Sequence, residues 1–299
     1  MSAGPAQRLR AELAIVTVAF IWGASFVTVK AALRDASPLV FLGLRFSLGV
    51  LLLLALFRLR PGALRDFPRH WRGGVLCGGL LFLGYALQTI GLETTAASKS
   101  AFLTGLYIVF TPLLGSLLRG AMPRAVEWMA TALAFAGTGL LTLEPAAGLH
   151  LQRGDLLTVG AAALFALHML SVERFSTVHN HESLTLWQVL GVAVFCLAGC
   201  GVVETPRLTW TPMLAGALVG TAALGTAVSF ALYTWAQART TATRAALMFS
   251  LEPVFAALTG LVWAGERWTG RTVGGASLIL GAILLVEMKP FARESHPLN

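Results

Sequence analysis

Charge is scarce in this sequence: 12% of its 299 residues are Asp, Glu, Lys or Arg, while 56% are hydrophobic and the mean hydropathy is +0.74. A chain so poor in charge cannot cover itself with a hydrated surface, which excludes an ordinary water-soluble enzyme of this length. Cysteine is nearly missing too. Cys77, Cys196 and Cys200 all lie in apolar stretches without zinc-type spacing, which argues against a disulfide framework or a metal site and leaves them as packing or lipid-facing residues. Paired carboxylates, a histidine-rich spacing, a glycine-rich phosphate loop and a Ser/His/Asp arrangement are all absent, and no hydrophilic stretch is long enough for a soluble domain. The sequence therefore predicts no enzyme, no cofactor and no metal. The net charge of +8 does not signal nucleic acid, because the basic residues stand singly or in small groups between apolar runs.

What is present is apolar sequence in lengths that suit a bilayer, whose hydrocarbon core of about 30 Å takes about 20 residues per helix. Ten such runs are predicted, at 11–33, 37–57, 73–92, 98–119, 126–144, 154–175, 183–203, 212–237, 241–264 and 270–290, with Pro and Gly in most gaps. A cleaved signal peptide is the alternative for the first run, but no Ala-x-Ala site follows a short apolar core. With the N-terminus cytoplasmic, that side carries fourteen basic residues: Arg8, Arg10, Arg58, Arg60, Arg65, Arg69, Arg72, Arg119, Arg124, Arg174, Arg239, Arg244, Lys289 and Arg293. The other side carries seven, Lys30, Arg34, Lys99, Arg153, Arg207, Arg267 and Arg271. This bias predicts both termini cytoplasmic, and Trp71, Trp128, Trp210 and Trp268 fall at span ends, where indole suits the headgroup region.

The chain is also written twice. TTAASKSAFLTGLYIVF (94–110) lies over RTTATRAALMFSLEPVF (239–255) without a gap, matching Thr95 with Thr240, Ala101 with Ala246 and Phe110 with Phe255, and setting Lys99 over Arg244. Downstream, AFAGTGLLTLEP is similar to LILGAILLVEMKP, with Glu144 and Glu287 near the ends of the fifth and tenth spans. Two units follow, 11–144 and 154–290, each with five spans. Five is odd, so the second copy must enter the bilayer upside down. The predicted fold class is thus all-α integral membrane, ten transmembrane helices as two inverted five-helix repeats around a central cavity, an architecture suited to alternating access.

The stretches FIWGASFVTVKAAL (20–33), SPLVFLGLRFSLG (37–49), TTAASKSAFLTGLYIVFTPLL (94–114) and SLEPVFAALTGLVWAGERWTGRTVGGASLILGAILL (250–285) resemble the drug/metabolite transporter superfamily in its ten-helix, EamA-type form. The resemblance covers essentially the whole chain and looks most like the YddG-type exporters of aromatic and other amino acids. It implies a basket of helices one, three, four, six, eight and nine around a cavity, helices five and ten behind as supports, and export across a bacterial-type cytoplasmic membrane. The implied partners are the lipid bilayer and a small amphipathic substrate such as an amino acid, with no obligate protein partner. Two alternatives share the architecture: proton-coupled drug or cation efflux, and a sugar-phosphate-type antiporter, which would need cationic side chains in its cavity.

Candidate substrate-binding residues come from polar positions that recur on helix faces, since an unpaired hydroxyl or amide in hydrocarbon is costly. In the fourth span Ser100, Thr104, Tyr107 and Thr111 follow steps of four, three and four along one stripe. In the first, Trp22, Ser25 and Thr28 share a face, and the second repeat sets Phe165, His168 and Ser171 at the equivalent positions. Tyr85 and Gln88 lie one turn apart in the third span, over Phe230 and Tyr233 in the eighth. Trp22, Ser25, Tyr85, Gln88, Thr104, Tyr107, His168, Tyr233 and Glu252 are the predicted site, although back-bonding of each hydroxyl to its own helix and plain packing of the rings are open alternatives. Glu252, matched with Tyr107, is either a binder of an amino group or proton, or a structural part of the repeat beside Pro253. Arg45 is a second intramembrane charge, a helix-packing counterpart of Glu252 or a snorkelling residue. The small four-helix multidrug relatives carry an acid in the middle of their first span; here the only acid there is Glu12 at the edge, which favours facilitated export.

Overall fold

The protein is described by a computed structural model over residues 5–58, 67–120, 122–143, 152–178, 180–263 and 269–287. Arg60, Arg65, Glu144, Arg267, Trp268, Lys289 and Arg293 lie outside the described residues. Within them the regular structure is helical apart from one isolated bridge between Ala36 and Leu208. This is what lipid demands of a spanning chain, because an α-helix satisfies its backbone polar groups internally.

The first three spans are the helices Pro5–Ala32, Pro38–Arg58 and Trp71–Thr94. The fourth is broken into Ala97–Thr104 and Tyr107–Arg119, which ends on left-handed Gly120 at φ 67°, and the fifth is Ala125–Thr142. In the second half the sixth and seventh spans are Arg153–Ser176 and His181–Val203. The eighth runs from Pro212–Gly220 through a π-helical segment, Thr221–Val228, into Ser229–Gln237. The ninth is broken into Ala242–Phe249 and Glu252–Trp263, and the tenth is Gly270–Glu287. Eight helices, those of the first eight spans, are long and apolar enough to cross a membrane by length and composition among the described residues.

The repeat register of 94–110 over 239–255 places Gly105 and Leu106 over Ser250 and Leu251. Those are the residues at which the fourth and ninth spans break. Tight three-residue bonds span both breaks, among them those from the Leu106 amide to the Leu103 carbonyl and from the Leu251 amide to the Met248 carbonyl. Pro253 therefore stands in the first turn of a new helix, where its missing N–H leaves no bond unmade.

Contacts at the helix ends fix the relative direction of the halves. Asp155, at the start of the sixth span, accepts hydrogen bonds from Thr95 and Lys99, between the end of the third span and the start of the fourth. Three crossings separate that end from the start of the first span, so the first and sixth spans begin on opposite faces. The same face as Asp155 holds a tie between the 1–2 and 7–8 connections: Glu204 accepts from Ser37 Oγ at 2.6 Å and from the Leu39 and Val40 amides at 3.1 Å, capping the second span from outside the helix.

Packing repeats under exchange of the halves. The third span lies along the sixth as the eighth lies along the first, and the fourth and ninth pack on the sixth and first in the same way. The second and seventh spans pair with each other, as do the fifth and tenth. Small residues permit the close approaches, as expected where no water drives helices together. A Cβ added to Gly275 would stand 2.6 Å from the Gly137 carbonyl oxygen and 2.9 Å from Leu141. Gly275→Leu should therefore part the fifth and tenth spans and lower the melting temperature of the purified protein by several degrees, a cost of about 1–3 kcal/mol for overpacking; thermal unfolding in detergent measures it.

Candidate functional site

A cavity of about 780 Å³, counting the space at its mouth, lies between the two halves. Its lining includes Trp22, Ser25, Tyr85, Gln88, Thr104, Tyr107, His168, Tyr233 and Glu252, so all nine predicted site residues meet around one space. Ser100, Thr28, Thr111 and Ser171 do not line it. Of the stripe read along the fourth span, Thr104 and Tyr107, on either side of the break, line the cavity, while the Thr111 hydroxyl donates to the Tyr107 carbonyl at 2.6 Å. The fifth and tenth spans contribute no lining residue, whereas the second contributes Arg45.

The cavity has an aromatic wall. Trp22 stacks on Phe249 with ring centroids 5.2 Å apart and stands 5.5 Å from Phe230, while Tyr85 meets Phe46 and Phe165 edge-on at 5.1 and 5.3 Å. Such offset and edge contacts hold rings in place by their quadrupoles as well as by burial. Trp22 is further held by its indole N–H, which donates to the Gly225 carbonyl at 2.9 Å. Gly23 next to it lets the first span touch the break of the ninth, since a Cβ there would collide with the Glu252 carbonyl.

Polar groups sit on this wall in short chains. Gln88 donates to Thr104 at 2.9 Å, linking the third and fourth spans. Gln188, buried in the seventh span, donates its amide nitrogen to Thr234 at 2.8 Å. Its amide oxygen then accepts from His168 Nε2 at 2.7 Å, so that nitrogen carries the ring proton. Ser25 donates back to the Trp22 carbonyl at 2.8 Å, the self-bonding alternative for a membrane hydroxyl. The Tyr233 hydroxyl is buried without a hydrogen-bond partner among the described residues.

The repeat-matched pair Tyr107 and Glu252 meet in space, with the phenol donating to the carboxylate oxygen Oε1 at 3.3 Å. Arg45 neither snorkels nor pairs with Glu252. It is 3% exposed and held by neutral acceptors, Thr226 Oγ1 from Nε at 2.9 Å and the Gly225 carbonyl from Nη2 at 3.2 Å. Lys99 and Arg244, symmetry mates in the sequence, each hold an acid at the start of another span: Asp155 at 2.6 Å and Glu12 at 3.6 Å. The register that sets Phe165 over Trp22 also sets Asp155 over Glu12, so the ion pair is itself repeated. Glu173 pairs with Arg119 between the sixth and fourth spans.

The EamA-like transporter family matches this chain twice, over residues 9–143 and 152–288, and the chain belongs to that family. An uncharacterized transporter of Archaeoglobus fulgidus is 32% identical over 286 residues, 95% of this chain and 87% of that protein. The threonine/homoserine exporter RhtA of Escherichia coli is 29% identical over 82% of this chain and 79% of its own length. A crystal structure 18% identical in sequence superposes with a TM-score of 0.78 over 93% of this chain and 96% of that one, which shows a shared fold. The protein is accordingly a multi-pass membrane transporter.

Gln188 does not line the cavity but braces it from behind, and sequence reading missed it; a polar residue between Trp187 and Val189 in an apolar run was the signal that could have found it, while its role comes from two partners on other helices. Gln188→Leu leaves His168 and Thr234 without their bonds and is expected to destabilise by about 1–3 kcal/mol. A melting temperature equal to that of the wild type would show that the chain from His168 to Thr234 does not brace the cavity.

Proposed function

We propose that this protein exports amino acids or closely related small metabolites from the cytoplasm by alternating access, without catalysis, and that the nine lining residues named above contact the substrate. The single observation that carries this reading is the cavity: aromatic rings with scattered hydroxyls, one amide, one carboxyl and one guanidinium suit a small amphipathic solute. The likeness to a threonine/homoserine exporter supports the substrate class. In this reading the units 11–144 and 154–290 are the inverted repeats, the membrane is the bacterial cytoplasmic membrane, and both termini face the cytoplasm, in keeping with the distribution of Arg and Lys.

One observation favours a second reading, proton-coupled efflux: Glu252 lines the cavity with a neutral phenol as its hydrogen-bond partner. A carboxyl so placed could take up a proton in one conformation and release it in the other.

Counterflow in proteoliposomes decides the substrate class. Labelled threonine, homoserine and phenylalanine should exchange, while quaternary cations and sugar phosphates should not. Tyr107→Ala and Tyr85→Ala should each lower exchange about tenfold, the equivalent of about 1.4 kcal/mol, in protein that still elutes as one sharp peak; wild-type rates in both would remove these rings from the site. Glu252→Gln separates the two readings: flux that loses its pH dependence assigns the proton to Glu252, and flux with an unaltered pH profile leaves export uncoupled at this residue.

A further inference from the structure

Two ionisable groups of opposite sign, Arg45 and Glu252, line the same cavity, and neither has a charged partner among the described residues. The cost of keeping an ion inside a membrane protein normally brings ions together as pairs or networks. Here each is supported separately by neutral groups. Lys99, Arg119 and Arg244, by contrast, all have carboxylate partners.

The Arg45 support is purpose-shaped. The π-helical segment Thr221–Val228 of the eighth span supplies both acceptors. The Thr226 hydroxyl gives its proton to the Thr221 carbonyl at 3.1 Å, five residues back, which leaves its oxygen to accept from Arg45 Nε. Helices open into π geometry at a cost that is usually met at functional sites. Glycines make the approach possible: a Cβ on Gly225 would sit 3.1 Å from Arg45 Nη2, and one on Gly49 would sit 2.6 Å from the Thr226 methyl. Two of the five guanidinium N–H groups are engaged by these acceptors, and the remainder meet no carboxylate of the described residues. Tyr85 flanks the group, with Cζ 5.4 Å from its ring centroid.

Between the charges lies the aromatic wall. Trp22 shares the Gly225 carbonyl with Arg45 and stacks on Phe249, whose ring meets Tyr107 edge-on at 6.4 Å; Tyr107 in turn holds Glu252. Tyr233, whose buried hydroxyl has no hydrogen-bond partner among the described residues, packs on the same wall with its ring centroid 5.8 Å from that of Phe249.

We propose that Arg45 and Glu252 are the two poles of a dipolar binding site, Arg45 receiving a substrate carboxylate and Glu252 its ammonium group, with Gly225 as the positioning residue for the guanidinium. The inference rests on the amino-acid export reading and deepens it: the substrate class is the zwitterion, recognised by its charge separation. A free amine, an amino-acid amide and a polyanion such as a sugar phosphate each satisfy one pole at most. Planar guanidinium suits carboxylate in a fork that a lysine cannot reproduce.

The test uses the full-length purified protein and one amino acid that exchanges in counterflow, competed by its own amide, its decarboxylated amine and its N-acetyl derivative. The wild type should prefer the zwitterion over each by about tenfold or more, as expected when a charged hydrogen-bond partner is removed. Arg45→Lys and Gly225→Ala should lose discrimination against the amide and keep it against the N-acetyl form, and Glu252→Gln the reverse. Equal competition by acid and amide in the wild type overturns the two poles while leaving amino-acid export standing. Should no amino acid exchange at all, the export reading fails, and thermal stabilisation of the wild type decides the poles separately: a larger shift from the zwitterion than from its amide, its amine or acetate supports them. Equal shifts from zwitterion and acetate would make Arg45 a simple anion site and overturn the proposal, as would stabilisation by sugar phosphate alone or by none of these probes. Arg45→Gln serves as a folding control through its melting curve, since the ligand series in the wild type needs no variant to fold.

Discussion

The structure depends on one constraint: a helix may stop inside a bilayer only where its freed backbone groups are enclosed by protein. Both interruptions, at Gly105–Leu106 and at Ser250–Leu251, are enclosed in this way: Ser250 and Leu251 are buried, and a Cβ on Gly105 would come within 3.5 Å of Thr138 in the fifth span. The first residues after them, Tyr107 and Glu252, then project into the cavity and touch each other across the two halves. Gly23 lets the first span close over the second break, and the fourth span is covered by the sixth. A pair of breaks thus creates the polar floor of a site and obliges the surrounding helices to form its walls.

Much of this was legible before any coordinates. Apolar run lengths reported the spans, and an odd number of them per repeat implied the inverted second half. Alignment of 94–110 with 239–255 placed Tyr107 over Glu252, and a two-fold relation brings matched residues near the axis, where they meet. Polar positions flanked by apolar ones, such as Gln88 and His168, stand out because hydrocarbon tolerates few of them.

The missing parts have physical reasons. Helical periodicity reports a shared face and not what that face meets, so the stripe through Ser100 and Thr111 ran past both ends of the cavity, and the Thr111 hydroxyl bonds its own helix instead. Arg45 was visible as a charge, yet its surroundings come from the π segment of the eighth span, 180 residues away in sequence. A run of Gly, Ala, Thr, Leu and Val at 221–228 carries no period that distinguishes π from α. The acids opposite Lys99 and Arg244 were likewise beyond local reading, because each lies at the start of a different span.

Those two ion pairs bear on how the cavity can change shape. Lys99–Asp155 fastens the fourth span to the sixth, with Thr95 drawing in the third; Glu12–Arg244 fastens the ninth to the first, which also carries the eighth. Neither pair crosses the cavity. Each therefore welds one three-helix wall into a single body, and what ties the two walls on the face of Asp155 is Lys30 of the first span, whose ammonium group donates to the Leu92, Glu93 and Thr95 carbonyls at the end of the third, so widening the gap there must break those contacts.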